Sequence, residues 1–455
     1  MRQYKTLDLP DARLERRCLR TVLTLANKPQ DSINQASENW AQAKGAYRFI
    51  ENDRVTSESL QAPIGDATAD ACANQDTIIA VQDTTTLSFG SARQAKGLGT
   101  INDSSSARGM FYHPVLALRE DGLALGLLDQ QHWCREPEVK HKAKDRYKRS
   151  INEKESGKWL KGVAAANLAL KTNLSKDKRP KIIHVFDREG DVHEVFQLIE
   201  TLQDGAVIRS AHNRRVVTDH GHADYAHDLV RKAPLLGEIT IDVPRKPGQK
   251  KRKATLQLRA VRVTLTPKKH KHPDRYPITL TLVEVREIIP PTKTTPLHWL
   301  LWSNETVHDL NGAGRIMHIY TMRWKIEDLF LTLKQGCRIE KVQFETSERL
   351  AKVVSLLAPI ALRILQCRDL ARLEPEAPGT VILSEDEWKT LWAYIHKKTP
   401  AEGQSPPSLR QTVLWIGRLG GHLGRKSDGM PGVKTLWLGL KDLTIMTIGY
   451  KIAQS

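Results

Sequence analysis

The chain has 455 residues, which is enough for roughly two to four domains with a substantial core. Its 70 Lys and Arg against 52 Asp and Glu give a net charge of +18 and a pI near 9.6, which indicates a polyanionic partner. Nucleic acid fits this charge better than a membrane, because no stretch approaches the ~18 uncharged apolar residues of a membrane span and the N-terminus has no signal-peptide apolar region. The five cysteines contain no CxxC pair, which argues against a disulfide framework and a zinc site.

The N-terminal residues predict a small helical bundle. The pattern favours short helices at residues 11–25, at residues 35–51 and from residue 56 onward. Lys44 and Arg48 lie one turn apart in the second of these helices, which suits contact with DNA phosphates. A helical cap on the following domain would explain the same pattern equally well.

Two short apolar runs each end on an acid. Residues 77–82 precede Asp83, and residues 181–186 precede Asp187. Each run is typical of a buried central strand, and an Asp at the carboxyl end of such a strand points into the crevice where open α/β sheets bind their ligands. One such Asp is common, whereas two of the same design predict a shared site.

The segments around these strands complete an α/β core. Residues 110–118 and 123–133 predict a β-hairpin, and the charge-dense residues 135–149 predict a solvated or DNA-facing loop. A helix is expected from Lys158 to about Leu170. Three strands, a helix, another strand and a helix are the order of elements in a ribonuclease-H-like core.

Residues 210–296 predict an all-β insertion in this core. Helical periodicity is weak there, and the β-like runs cover residues 237–243, 255–265 and 276–289. Residues 245–275 carry twelve Lys or Arg and a single acid, which predicts a basic loop, although a solvated hairpin would also explain the charge. Residues 298–302 predict the strand that returns to the core.

A helix with a distinctive polar edge follows the insertion. Four polar residues at offsets of 3, 7 and 14 share that edge: Tyr320, Arg323, Glu327 and Lys334. A carboxylate flanked by an Arg, a Lys and a phenol can hold a divalent metal and grip the phosphates around it. An amphipathic helix with an ordinary i,i+4 Arg–Glu pair is the alternative.

The C-terminal region is predicted to be helical. Helices are expected at residues 347–370, after a capping box at residues 384–387, and at residues 434–451. The last helix has an apolar stripe that contains Val433, Leu436, Trp437, Leu440 and Leu443. If exposed, this stripe would bury itself against a second copy of the chain, but packing onto its own core explains the same periodicity.

The three acids Asp83, Asp187 and Glu327 are far apart in sequence and are expected to converge in such a core. They are the ligands expected for a pair of Mg²⁺ ions about 3.5–4 Å apart that act on phosphodiesters, because Mg²⁺ prefers hard oxygen ligands and keeps positions open for substrate. Mn²⁺ accepts the same ligands and is expected to substitute. Arg323 and Lys334 are expected to hold the phosphates of the strand being cut.

The same residues resemble the motifs of a known family. The segments Asp83-Thr-Thr-Thr-Leu and Asp187-Arg-Glu-Gly-Asp191, and the four residues of the polar edge at their fixed spacing, are similar to the first-acid, second-acid and Tyr-Arg-Glu-Lys motifs of bacterial DDE transposases. The chain most resembles the insertion-sequence-four family, in its Tn-five-like branch, and the resemblance runs nearly end to end. Residues 45–50, 155–159 and 434–437 resemble the family's end-binding region, a core motif and the dimerisation segment.

This resemblance implies Mg²⁺-dependent cut-and-paste transposition by a homodimer that binds double-stranded DNA, both transposon ends and target, in the bacterial cytoplasm at the nucleoid. It implies that Trp299 is the aromatic on which a flipped base stacks while a DNA hairpin forms, and that Arg209 is a basic residue near the active site. Without the resemblance, Trp299 is as well explained as a core residue beside Trp302. The charged segments 135–149 and 245–275 depart from the family pattern.

The expected organisation is an α/β protein in which a ribonuclease-H-like core, residues 71–370, is flanked by a helical DNA-end-binding domain, residues 1–70, and a helical dimerisation domain, residues 371–455. Two other functions compete with transposition. A catalytically silent DNA-binding relic or inhibitor would be favoured by the loss of an acid, and none is lost. A plain ribonuclease-H-like nuclease would need neither a dimerisation segment nor a hairpin aromatic.

Overall fold

A computed structural model describes residues 2–90, 95–102, 107–135, 150–243, 251–267, 274–292, 294–425 and 428–454. The predicted charged loop at 135–149 lies outside the described residues except for Arg135. The described residues form a mixed α/β protein with two compact units. The central unit comprises Ala73–Asp83 and His141–Trp324, and the terminal unit comprises Met1–Cys72, Thr84–Lys140 and Lys325–Ser455.

The strands, in chain order, are β1 (Thr77–Gln82), β2 (Thr85–Ser88), β3 (Gly99–Thr100), β4 (Arg108–Arg119), β5 (Ala124–Trp133), β6 (Lys181–Phe186), β7 (Gly205–Arg209), β8 (Arg215–Thr218), β9 (Ala223–Tyr225), β10 (Leu235–Val243), β11 (Arg252–Leu265), β12 (Ile278–Glu287) and β13 (His298–Ser303). The α-helices are α1 (Ala12–Asn27), α2 (Ile33–Ala36), α3 (Trp40–Glu51), α4 (Ser57–Cys72), α5 (Gly157–Asn173), α6 (His193–Leu202), α7 (Ala226–Lys232), α8 (Leu310–Thr321), α9 (Trp324–Leu331), α10 (Ser347–Leu373), α11 (Glu385–His396), α12 (Leu409–Leu419) and α13 (Val433–Gln454).

The central unit is built on one mixed sheet. Strand β6 pairs in parallel with β1 on one side and with β7 on the other. Strand β7 then pairs antiparallel with β13, and the sheet continues through β12 and β11. The two predicted central strands are mostly apolar, and residues Ile78 to Val81 and Ile182 to Phe186 are all buried, including the polar His184. Such continuous burial is typical of parallel strands that are covered on both faces.

Helices α5 and α6 cover one face of this sheet. Trp159 and Val163 of α5 and Phe196 of α6 belong to a core cluster that also contains Phe186 of β6 and Trp302 of β13. These large side chains fix the carboxyl end of β6 against the helices, since Phe186 is the last residue of that strand.

The insertion extends the core sheet and is not all-β. Helix α7 lies within the predicted all-β segment and packs against β11 and β12, so that prediction was wrong for residues 226–232. Within the basic segment 245–275, the predicted run 255–265 is observed as part of β11, which pairs along its length with β10 and β12. Strand β11 carries four of the twelve basic residues of this segment, Arg252, Lys253, Arg259 and Arg262, and six others fall in residues 244–250 and 268–273, which lie outside the described residues.

The terminal unit contains the predicted hairpin and most of the helices. Strands β4 and β5 pair antiparallel, and β2 pairs with β4 on its other edge. The predicted N-terminal helices are observed as α1, as α2 and α3 in place of one helix, and as α4, with Asp11 and Asn39 capping α1 and α3 through their side chains. The predicted capping box at Ser384 and Glu387 opens α11.

Helix α10 is the core helix of the terminal unit. By length and apolar composition it could cross a membrane, but 89% of its most apolar window is buried inside the protein, as in the core helix of a soluble protein. Its buried Lys352 donates hydrogen bonds to the Ile50 carbonyl at 3.0 Å and to the Asn52 carbonyl at 2.9 Å. The cation therefore caps the C-terminal end of α3, where the helix dipole is negative.

The apolar stripe of the last helix packs onto the terminal unit itself. Val433, Leu436, Trp437 and Leu443 are all buried, and Trp437 lies so close to Gly336 that a Cβ atom there would be 3.0 Å from its ring. Of the two alternatives, the structure agrees with the second, because these residues of the stripe pack onto the core of the terminal unit. Among the side chains of α13 that the structure describes, the exposed large apolar ones are Ile445 and Ile448.

The predicted signature helix is broken. Helix α8 ends at Thr321, α9 begins at Trp324, and a π-helical segment, Thr332–Gly336, carries Lys334. Met322 and Arg323 form the turn between α8 and α9, where the Arg323 amide donates to the Tyr320 carbonyl in an i→i−3 hydrogen bond of 3.1 Å. The four signature residues therefore do not share one edge of one regular helix, as the sequence pattern predicted.

Candidate active site

Asp83 and Asp187 follow neighbouring parallel strands at the same level. The register pairs Thr77 with Lys181 and Val81 with Val185, and the same offset continued by two residues places Asp83 opposite Asp187. Both therefore lie at the carboxyl edge of the central sheet, where parallel strands present ligand-binding side chains. The structure brings together the two acids that the strand pattern selected.

The turn after β6 holds Asp187 in place. Its Oδ1 accepts a 2.9 Å hydrogen bond from the Glu189 amide, so that the carboxylate caps the short turn Arg188–Gly190. A side chain at Gly190 would collide with Phe186 at the end of the strand, which explains the glycine in this turn. Burial raises the pKa of Asp187 above the usual value, the Glu189 charge adds to the shift, and the charges of Arg323 and Lys158 oppose it.

Arg323 joins the two aspartates electrostatically. Its Nη1 lies 2.6 Å from Asp83 Oδ2, its charge also acts on Asp187, and its guanidinium lies over the Trp324 ring at 4.8 Å. Only 8% of Arg323 is exposed. A buried guanidinium against a carboxylate is a strong, directional charge-assisted contact, so Arg323 holds Asp83 in one orientation.

Trp299, Tyr320 and Arg209 form a second group in the central unit. The rings of Trp299 and Tyr320 lie 5.6 Å apart at 58°, and Arg209 is within hydrogen-bonding reach of Tyr320. Burial raises the pKa of the Tyr320 phenol, although the charges of Arg209 and Arg323 oppose that shift. Trp302 is fully buried in the core, whereas Trp299 is only partly buried and contacts the signature tyrosine.

Lys158 and Glu189 are neighbours of the acids that the sequence reading did not select as site residues. Lys158 Nζ lies 3.0 Å from Glu189 Oε2, and α5 itself sits closely over β1, since Gly162 leaves space for the Gln82 side chain. Lys158 lies in residues 155–159 and Glu189 in residues 187–191, two segments that resemble motifs of the family. Their spacing alone gave no signal, because the pair joins positions 31 residues apart.

Glu327 and Lys334 belong to the terminal unit. Glu327 lies in the first turn of α9, between Lys325 and Asp328, each of which is tied to α10. Lys325 Nζ lies 2.6 Å from Asp369 Oδ1, and Arg368 Nη1 lies 2.8 Å from Asp328 Oδ2. These ion pairs fix the rotation of the helix that carries Glu327.

Lys44 and Arg48 are both exposed on one face of α3. They are four residues apart, and Trp40, one turn earlier on the same face, is 70% exposed. The surface formed by Trp40, Lys44 and Arg48 is positively charged and carries a large aromatic side chain, two properties common in nucleic-acid-binding surfaces.

The donor set at the sheet edge suits a hard divalent cation. Two carboxylates lie at that edge, and burial raises the pKa of Asp187, so a divalent cation beside it would favour its charged form. Among the residues that the structure describes, no group of three or more His, Cys, Asp or Glu side chains that could hold a metal ion is found. The aspartate pair is thus the part of the predicted ligand set that the central unit itself assembles.

Comparison with known families identifies the class of protein. The family described as "Transposase DDE domain" matches residues 122–361, which include Asp187 and Glu327 but not Asp83. "Transposase DNA-binding" matches residues 1–55, and "Transposase Tn5 dimerisation domain" matches residues 359–455. The chain belongs to the DDE transposase family, of the Tn5-like kind, as its motifs predicted. It is a metal-dependent enzyme that cleaves DNA and transfers DNA strands.

A solved structure is also similar to this chain. It is described as the cryo-EM structure of the piggyBac transposase synaptic complex with hairpin DNA, and it shares 10% sequence identity, with 80% of this chain and 68% of that chain covered and a TM-score of 0.36. A likeness this weak carries no argument about this chain.

Proposed function

We propose that this protein catalyses cut-and-paste transposition, in which Asp83, Asp187 and Glu327 act on the ends of an insertion sequence. The observation that carries the proposal is the placement of Asp83 and Asp187 at the same level of two adjacent parallel strands, with Arg323 on Asp83. We also propose that the sheet of β1, β6 and β7 with helices α5 and α6 is a ribonuclease-H-like core.

Asp83, Asp187 and Glu327 would hold two Mg²⁺ ions, and Mn²⁺ would replace them. Ions bound there supply Lewis-acid activation of the attacking oxygen and stabilise the leaving oxygen. Arg323 keeps the Asp83 carboxylate oriented, and Lys158 and Glu189 flank Asp187. Lys334 and Arg323 carry the positive charge that would hold the phosphates of the strand being cut.

The other proposed contacts are with DNA bases and DNA backbone. Trp299 is partly buried and packs on Tyr320, so its ring is held in one orientation and would give a flipped base a fixed stacking surface during hairpin formation. Arg209 would contact the backbone beside it. Lys44 and Arg48 on α3 would contact the transposon end.

The domain division proposed is DNA-end binding by residues 1–70, catalysis by residues 71–370 and dimerisation by residues 371–455. The family matches at residues 1–55, 122–361 and 359–455 support this order. Two copies of the chain would pair two transposon ends and then join them to a target DNA.

The first prediction tests the acids. Replacing Asp83, Asp187 or Glu327 by Ala should abolish Mg²⁺-dependent cleavage of a labelled transposon-end duplex, because each removes a metal ligand. Binding of the same duplex in a gel-shift assay should stay close to wild type, since it rests on phosphate contacts elsewhere. Glu200→Ala, at an exposed acid on α6, is the matched control and should cleave normally.

Cleavage retained by any one variant would remove that residue from the site. A wild-type chain that binds the ends without cutting them would instead indicate a silent DNA-binding protein. Cleavage without joining to a target plasmid, under conditions where both are assayed, would indicate a plain nuclease.

A further inference from the structure

Asp191, the last residue of the second-acid motif, is wholly enclosed. Its side chain is 0% exposed, and each carboxylate oxygen accepts hydrogen bonds from a segment about twenty residues later in the chain. Oδ2 accepts from the Ala211 amide at 2.8 Å and from the His212 amide at 3.3 Å. Oδ1 accepts from Arg214 Nε at 3.1 Å and from Arg214 Nη2 at 2.7 Å.

These contacts show that the side chain of Asp191 has a different role from that of Asp187. Both oxygens of Asp191 are engaged by donors of the protein, and Arg214 Nη2 also donates to the Asp191 carbonyl at 2.6 Å. A carboxylate that is saturated in this way is not available to a metal ion or a substrate. Asp191 directly follows the turn Arg188–Gly190, which Asp187 caps at its start, so the side chain of Asp191 ties this turn to residues 211–214.

Ser210 connects Arg209, the last residue of β7, to residues 211–214. Ser210 donates its amide to the Leu300 carbonyl at 2.8 Å, and its hydroxyl pairs with His227 Nε2 of α7 at 2.8 Å. The segment is therefore held by β13 and α7 on one side and by Asp191 on the other. Arg209 itself lies beside Tyr320, whose phenol is also near Asp187.

We propose that Asp191 is a positioning residue, which holds residues 211–214 through their amides and Arg214 and thereby keeps Arg209 in place beside Tyr320 at the active site. The inference rests on the proposed function, because it gives Arg209 a part in handling DNA. Asp191 touches neither DNA nor metal and acts only through this segment.

The first test does not depend on catalysis. Asp191→Asn keeps the shape of the side chain, but an amide NH₂ group that faces Arg214 cannot accept the hydrogen bonds that the carboxylate accepts. Hydrogen–deuterium exchange in a peptide spanning residues 209–214 should be faster in Asp191→Asn and in Arg214→Gln than in the wild type. Asp204→Asn is the matched control: Asp204 is another buried aspartate of the central unit, it contacts His184 and Asn167, and its loss should leave this peptide unchanged. Unchanged exchange in Asp191→Asn would overturn the proposal.

The second test asks whether Asp191 acts through Arg209. Small misplacement of a positioned group can cost up to about 100-fold in rate, so single-turnover cleavage by Asp191→Asn should fall by roughly 10- to 100-fold. The double variant Asp191→Asn/Arg209→Ala should cleave within about twofold of Arg209→Ala alone, because coupled residues do not act additively. Multiplied losses would overturn the positioning role even if exchange is faster. Retained cleavage by Asp187→Ala would count against the proposed function and leave the exchange result to decide the structural role of Asp191.

Discussion

Trp299 and Trp302 are three residues apart on β13 and have different surroundings. Trp302 is buried in the core cluster, whereas Trp299 is partly exposed and packs against Tyr320. Alternation along a strand places residues at odd spacing on opposite faces, so one tryptophan can serve the core and the other a binding surface.

Trp299→Ala should slow hairpin closure and the second-strand cut more than the first nick. Stacking of a base on an aromatic ring is worth about 1–3 kcal/mol, and only the later steps require the flipped base. Denaturing gels of a cleavage time course resolve the two products. Trp302→Phe, a change within the core, should lower stability without separating the steps, and equal slowing of both steps by Trp299→Ala would assign that residue to packing alone.

His132 makes the stability of the terminal unit depend on pH. Burial lowers its pKa from the usual 6.5 to about 4, with the Glu58 charge opposing the shift. The ring stacks on Tyr112 and its Nδ1 pairs with Gln61 Nε2 at 3.3 Å. Below pH ~6.5 the unfolded chain binds a proton that the folded chain does not bind until about pH 4, so protonation favours unfolding across that window.

The free energy of unfolding should therefore fall by up to about 2–3 kcal/mol between pH 6.5 and pH 4 because of this residue. Urea unfolding at several pH values measures it. In His132→Gln, which cannot titrate, the fall should be smaller by that amount, and identical pH profiles for the two proteins would contradict the assignment.

The pairing of Asp83 with Asp187 at one sheet edge could be predicted from the sequence, whereas the contacts of Asp191 could not. A short apolar run followed by an acid is a local pattern that the sequence shows directly. Two such runs are expected to be central strands of one sheet, and β1 and β6 are indeed neighbours there. The partners of Asp191 lie about twenty residues away in a segment without periodicity. Only the folded chain shows that this acid is enclosed and Asp187 is not.

The break between α8 and α9 shows what periodicity misses at the level of elements. The apolar stripe continues through Met322 and Ile326, both buried, so the sequence predicted one helix. Arg323 sits in the turn and reaches Asp83, and such a tertiary ion pair leaves no trace in the spacing of apolar residues. Helix α7 was missed for a related reason, because seven residues are too few for a clear helical period.

Helix α9 is held to α10 by a buried charge network that can be tested. Asp369 accepts from Lys325 at 2.6 Å and from Arg368 at 3.3 Å, and its side chain is almost fully buried. Burial lowers the pKa of Lys325, and Asp369 opposes that shift. Removing Asp369 leaves the cations without this carboxylate in a poorly solvated site.

Asp369→Ala should lower the free energy of unfolding by about 3 kcal/mol or more, which is the usual cost of breaking a buried ion pair from one side. Asp386→Ala is the matched control, because Asp386 pairs with Lys451 on the surface and its loss should cost less than about 1 kcal/mol. Chemical denaturation of both variants decides the matter, and equal losses would show that the α9–α10 network does not stabilise the fold.

For the whole molecule, the buried stripe of α13 changes how dimerisation must be tested. Removing the helix would take Trp437 out of the core of the terminal unit, so a truncated chain would confuse misfolding with loss of pairing. The exposed apolar residues Ile445 and Ile448, at 53% and 48% exposure, are available to a second copy of the chain.

Ile445→Glu combined with Ile448→Glu should leave the monomer folded and weaken dimerisation, because two charges would be buried at the contact. Light scattering gives the mass, and a gel-shift assay with two labelled ends gives the paired complex. Leu423→Glu, at an exposed leucine outside any helix, is the control. A double variant that still pairs two DNA ends as the wild type does would place the interface elsewhere.

The terminal unit is assembled from three separate stretches of chain, and this has a consequence for protein synthesis. After Lys140 the ribosome must add the long central stretch before Lys325 emerges, which takes roughly 10–40 seconds at about 5–20 residues per second. During that time α3 lacks the Lys352 cap and the α10 surface against which it packs. The N-terminal helices of a nascent chain therefore lack part of their packing surface until α10 has been synthesised.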